Sequence, residues 1–136
     1  MSEAAVRALS AVADSEAARE ERARSAAEMV REARDYGWVG VYDVGDEEFS
    51  LVGSSGSQPP AQPRLELTEG LGGEAVRSRV TVVSATRSEA IVPILGPESG
   101  IVIGVLDAAS DRPGALSEED VGFLEACAAV LRPLYD

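Results

Sequence analysis

Few side chains in this chain can do covalent chemistry. It carries 24 acidic residues and 12 arginines, one cysteine (Cys127), no histidine and no lysine. Each absence removes a mechanism. Without histidine there is no Ser-His-Asp or Cys-His catalysis and no imidazole ligand for zinc or haem. Without lysine there is no Schiff base and no phosphate-loop lysine. A lone cysteine makes no intrachain disulfide and no cysteine metal cluster. Cys127 itself falls on the apolar stripe of a helix, where a cysteine acts as a small core residue. What remains is carboxylate chemistry: binding of a cation, or general acid–base work.

The elements that must position these groups follow from periodicity. Residues 3–12 read as a short helix, with Val6, Leu9 and Val12 at helical spacing. Asp14-Ser15 reads as a break and N-cap for a second helix reaching Arg34. On that helix Glu20 and Arg24, then Glu28 and Arg31, are spaced to pair. Its thin stripe of Ala23, Ala26, Ala27, Met29, Val30 and Ala33 suits close packing, on a second subunit or on its own domain.

After Tyr36-Gly37 the period becomes two. Trp38, Gly40 and Tyr42 share one strand face, and Val39 and Val41 the other. Gly45-Asp46 turns the chain into a second strand carrying Phe49 and Leu51, which makes a hairpin. Residues 53–63, rich in glycine, serine and proline, read as a loop. Leu65 and Leu67 mark a third strand. Gly70-Leu71-Gly72-Gly73 leads into a short helix over Glu74–Arg79, and Val80–Val83 is a brief strand. Ala90–Leu95 and Ile101–Leu106 are apolar runs bounded by turn residues, joined by Gly96–Gly100, and read as central strands. Ser117, with Asp120 three positions on, caps a last helix to Leu134. Its stripe is Val121, Leu124, Cys127, Ala128, Leu131 and Leu134.

The chain is thus one domain of 136 residues: N-terminal helices over 1–36, a sheet over 37–116, and a C-terminal helix over 117–134. The class is α+β. One antiparallel sheet of five to six strands has the terminal helices on one face, and a short helix and loops on the other. The net charge is −12, and residues 37–136 hold sixteen acids against six arginines. Such a surface repels nucleic acid and anionic lipid. No apolar run reaches membrane-span length, and the charged first thirty residues do not resemble a signal peptide. The expected location is cytoplasmic.

Several motifs, in order, resemble the GAF domain, a sensory fold. They are Trp38-Val39-Gly40-Val41-Tyr42, Gly70-Leu71-Gly72-Gly73-Glu74-Ala75, Ser88-Glu89-Ala90-Ile91-Val92-Pro93, Gly104-Val105-Leu106-Asp107 and Leu116-Ser117-Glu118-Glu119-Asp120. The pattern covers residues 15–134 and is most similar to the free methionine-(R)-sulfoxide reductases. The resemblance implies a ligand pocket on the sheet face away from the terminal helices. It also implies a cysteine at Gly72, a second cysteine before Ser88 and an aspartate at Ala109, and all three are absent. Sulfoxide reduction needs a thiolate to attack sulfur and a second thiol to resolve the intermediate.

By resemblance, Trp38 and Tyr42 match aromatic pocket positions, and Glu89 and Asp107 match acidic ones. Together they suit the ammonium and side chain of a small amino-acid-like ligand or another metabolite. Arg87 stands near Glu89 in sequence as a candidate ion-pair partner, which would make Glu89 structural. Gly70, Gly72 and Gly73 precede a helix whose amides can hold an anion, but no lysine or Walker pattern accompanies them, and a tight loop explains them as well. No cofactor or metal is expected. The leading expectation is a non-catalytic sensory module that binds a small ligand or a protein partner. The alternatives are a scaffold that forms a homodimer through its terminal helices, and a degenerate reductase or carboxylate catalyst.

Overall fold

The structure is a computed structural model that describes residues 2–57, 64–66, 70–97 and 100–136. Helices α1 (Ser2–Ala13) and α2 (Arg19–Ala33) lead into the hairpin β1 (Trp38–Val44) and β2 (Glu48–Gly56). Then come β3 (Arg64–Glu66), helix α3 (Gly70–Ser78), β4 (Val82–Val83), β5 (Glu89–Leu95), β6 (Val102–Ala109) and helix α4 (Glu118–Val130). A single 3-10 turn over Arg132–Tyr135 closes the chain. The six strands form one open sheet in the order β3-β2-β1-β6-β5-β4, and every pair is antiparallel. No helix among the described residues is long and apolar enough to cross a membrane.

Strand alternation splits the apolar residues into two cores. Val39, Val41, Ala90, Val92, Ile94, Leu106 and Ala108 face α1, α2 and α4, and pack with Leu9, Val30, Leu124 and Leu131. Trp38, Tyr42, Phe49, Ile91 and Val105 face the other way, with Ala75 of α3 over them. Both strand faces expected of β1 are therefore realised, each buried by a different layer.

The alanine stripe of α2 packs inside its own domain. Ala23, Ala26, Ala27 and Val30 are fully buried, mainly against β2 and α1. A Cβ at Gly53 of β2 would lie 2.6 Å from the Arg24 amide nitrogen, so only glycine lets helix and strand approach so closely. That contact explains a correction. Gly53–Gly56 are strand, paired with Trp38–Val41, although their composition reads as loop. Residues 58–63, Leu67, Glu98 and Ser99 lie outside the described residues.

The start of α2 also differs. Asp14 and Ser15 close α1 instead of capping α2: their amides donate to Ser10 and Val12 carbonyls, and Ser15 Oγ donates to Val12 as well. α2 begins four residues later without a side-chain cap. The Arg22 guanidinium bridges the connection by donating to the Ala13 and Ala17 carbonyls. Arg31 turns to Ser55 Oγ at 2.8 Å, away from Glu28, and no ion pair joins Glu20 to Arg24. The capping box at α4 forms as expected, with Ser117 and Asp120 each bonding the other's backbone amide.

Candidate functional site

Three adjacent central strands bring the four expected residues together. Gly40 of β1 is paired with Asp107 of β6, which in turn is paired with Ile91 of β5. Trp38 is paired with Ala109, and Ala109 with Glu89. Residues two apart on a strand share a face, so Trp38, Tyr42, Glu89 and Asp107 all stand on the side away from α1, α2 and α4. A Cβ at Gly40 would run into the Trp38 indole, so that ring lies folded across Gly40, beside Asp107's place in the next strand. The Tyr42 ring follows 6.3 Å from Trp38, tilted by 58°. Phe49 meets Tyr42 edge-on at 6.2 Å.

The electrostatics of this patch are unusual for a buried surface. Asp107 is 8% exposed and shares a hydrogen bond with the half-buried Glu89. Burial, then the Glu89 charge, then that hydrogen bond push the Asp107 carboxyl well above its ordinary range. Burial also raises the Tyr42 hydroxyl, with Asp107 and Glu89 adding to the shift. No salt bridge among the described residues reaches either carboxyl. Two buried side-chain atoms among the described residues have no hydrogen-bond partner, Asp107 Oδ1 and Trp38 Nε1, and both belong to this patch. Leaving a buried polar group unpaired costs roughly 1–3 kcal/mol.

Other expectations need correction. Arg87 does not pair with Glu89. It sits at a positive φ of 54° and donates from Nε to the Leu116 carbonyl at 2.6 Å, tying the start of β5 to the start of α4. Glu89 is thereby left to Asp107. Gly70, Gly72 and Gly73 are not a loop before a helix but the first turn of α3. The reason is tertiary. A Cβ at Gly72 would lie 3.0 Å from the Phe49 ring, so the helix docks through Gly72 onto that aromatic. Phe49 was not singled out as a site residue in the sequence, yet it ends the aromatic row and fills the space beside Gly72.

Cys127 stands in the other core, with its thiol pushed up to about 12 by burial. It lies across the sheet from the patch and is not a thiolate at neutral pH. Among the described residues no group of three or more His, Cys, Asp or Glu side chains is placed to hold a metal ion.

An open antiparallel sheet with α1, α2 and α4 on one face, and α3 beside a buried aromatic–acidic patch on the other, defines an α+β domain. The GAF domain family model matches residues 16–131, and the chain belongs to that family. Among solved structures it is similar to the free methionine-R-sulfoxide reductase from Neisseria meningitidis in complex with its substrate. That match is 27% identical, covers 98% of this chain and 87% of that one, and has a TM-score of 0.84. It is similar too to a putative GAF sensor protein from Burkholderia vietnamiensis, at 26% identity, covering 96% and 84% of the two chains with a TM-score of 0.83. A type II free methionine-R-sulfoxide reductase from Thermoplasma acidophilum matches at 26% identity over 85% and 90% of the chains, with a TM-score of 0.76. No curated protein matches.

Proposed function

We infer that the protein is a non-catalytic regulatory module that binds a small ligand over Trp38, Tyr42, Glu89 and Asp107. The observation that carries this reading is the pair of orphaned buried atoms, Trp38 Nε1 and Asp107 Oδ1, on one patch. A fold gains nothing from leaving a donor and an acceptor unpaired on one sheet face, whereas a ligand that meets both recovers their cost on binding. The reductase from Neisseria meningitidis, whose structure holds its substrate, and the putative GAF sensor support a ligand-binding use of this fold.

The same patch argues against turnover of a sulfoxide. The position of Gly72 is closed by Phe49, and the one thiol is buried behind the sheet. Carboxyls and aromatics can hold and protonate a substrate, but they supply no reducing electrons.

Trp38 is the sole tryptophan and a built-in reporter. Titrations with methionine, methionine sulfoxide and a panel of small metabolites should give a saturable change in its fluorescence, and a rise in melting temperature, for at least one compound. No response in either signal across the panel would count against the reading. Incubation with methionine sulfoxide and a thiol reductant should give no turnover; turnover that survives Cys127→Ser would refute the non-catalytic part.

A further inference from the structure

Resting on that reading, we propose that the group bound at this patch is uncharged and presents a hydrogen-bond acceptor beside a donor, as a carboxamide, lactam or urea does. Its acceptor takes the Trp38 Nε1 proton and its donor meets Asp107 Oδ1. The two orphaned atoms set opposite requirements. An indole N–H only donates, so it needs an acceptor. Asp107 Oδ1 has an unused lone pair, so it needs a donor. An ammonium or guanidinium group offers donors alone and leaves the indole unpaired in a site only 5% exposed at Trp38. A carboxylate or phosphate offers acceptors alone and meets Glu89 and Asp107 as a like charge. Only a group with both functions satisfies both atoms.

The register brings the two side chains to one part of the sheet. The six-membered ring of the indole, through Cη2, Cζ2 and Cζ3, lies over Gly40. Gly40 is the direct register partner of Asp107. The charge state agrees. Burial beside the Glu89 charge, with no arginine paired to either carboxyl, favours the protonated form of Asp107. An ammonium would have to expel the proton before it gained a full ion pair. The neutral ligand leaves the pair as it stands.

Three isosteres separate the charge classes: propionamide, n-propylamine and propionate. Trp38 gives the only indole N–H resonance in a proton–nitrogen correlation spectrum. Propionamide should move that proton downfield and saturate, with an apparent affinity at least about tenfold above either charged isostere, the size of one hydrogen bond left unmade. Asp107→Asn keeps an acceptor oxygen and should retain amide binding, whereas Asp107→Val should weaken it by about tenfold. Trp38→Phe, followed by melting temperature, should abolish the stabilisation by propionamide. Tighter binding of n-propylamine than of propionamide at the indole would overturn this inference and leave the small-ligand reading standing. Saturation by none of the three would also overturn it, and a response to the metabolite panel would still decide the broader reading.

Discussion

Two aspartates buried to the same degree stand on opposite sides of the sheet and are treated in opposite ways. Asp120, 6% exposed, has both oxygens served. Its Oδ1 accepts from Tyr36 Oη at 2.6 Å and from Arg34 Nε at 2.7 Å, and its Oδ2 accepts from the Ser117 hydroxyl and amide. Burial alone would raise this carboxyl, but the hydrogen bonds from Tyr36, Ser117 and Arg34 hold it down at about 2. Asp107, 8% exposed, shares one bond with another acid, keeps an orphaned oxygen and is pushed up. The first arrangement is what a fold needs from a buried carboxylate. The second costs the fold stability, and such costs gather where a protein binds something.

The comparison can be broken at its stronger end first. Asp120→Ala strips the capping box and leaves Tyr36 Oη and Arg34 Nε without their acceptor. Urea unfolding should report a loss of about 3 kcal/mol, typical of breaking a buried charged network.

The pH dependence should separate the two acids by sign. A carboxyl held near 2, against 3.8 for a free aspartate, contributes about 2 kcal/mol. That stability is fully present above about pH 4 and is lost as pH falls toward 2. Asp107 acts the other way, because its raised folded value means stability falls as pH climbs above the ordinary carboxylate range. Unfolding curves of Asp120→Asn should therefore flatten between pH 4 and 2, while those of Asp107→Asn flatten above about pH 4.

A smaller effect sharpens the ligand-side architecture. Gly72→Ala adds a Cβ only 3.0 Å from the Phe49 ring, so the usual helix gain of about 1 kcal/mol for replacing glycine should not appear in the melting temperature. Combining it with Phe49→Leu should restore part of that gain. The smallest effect is chemical. Cys127, its thiol pushed up to about 12 by burial, should stay unreactive toward a disulfide reagent at pH 8 in the folded protein and react fully in urea.

Much of this architecture is legible in local sequence. The two-residue period of Trp38–Tyr42 fixes which side chains share a face, and the Ser117–Asp120 spacing writes the capping box directly. What is not legible depends on partners far along the chain. Tyr36 and Arg34 reach Asp120 across 84 and 86 residues, and nothing local announces it. Gly53–Gly56 read as loop because glycine and serine dominate there. They are strand because α2 presses on Gly53, a tertiary demand. Gly70–Gly73 read as a turn and are the first turn of α3, where Gly72 lies against the Phe49 ring. Glu89 and Asp107 could be named in the sequence only through the family resemblance. That they hydrogen-bond each other, with Arg87 turned away to Leu116, emerges from the register of β5 on β6.

The central claim is that Asp107 is kept for a ligand and not for the fold. Replacing it with asparagine removes a carboxyl that must hold a raised pKa, yet preserves its shape and an acceptor oxygen. Urea unfolding of Asp107→Asn at pH 7 tests the claim most directly. The variant should be at least as stable as the parent, beside an Asp120→Asn control that loses about 2 kcal/mol or more. A loss at Asp107 as large as that at Asp120 would contradict the claim, and would make both aspartates structural.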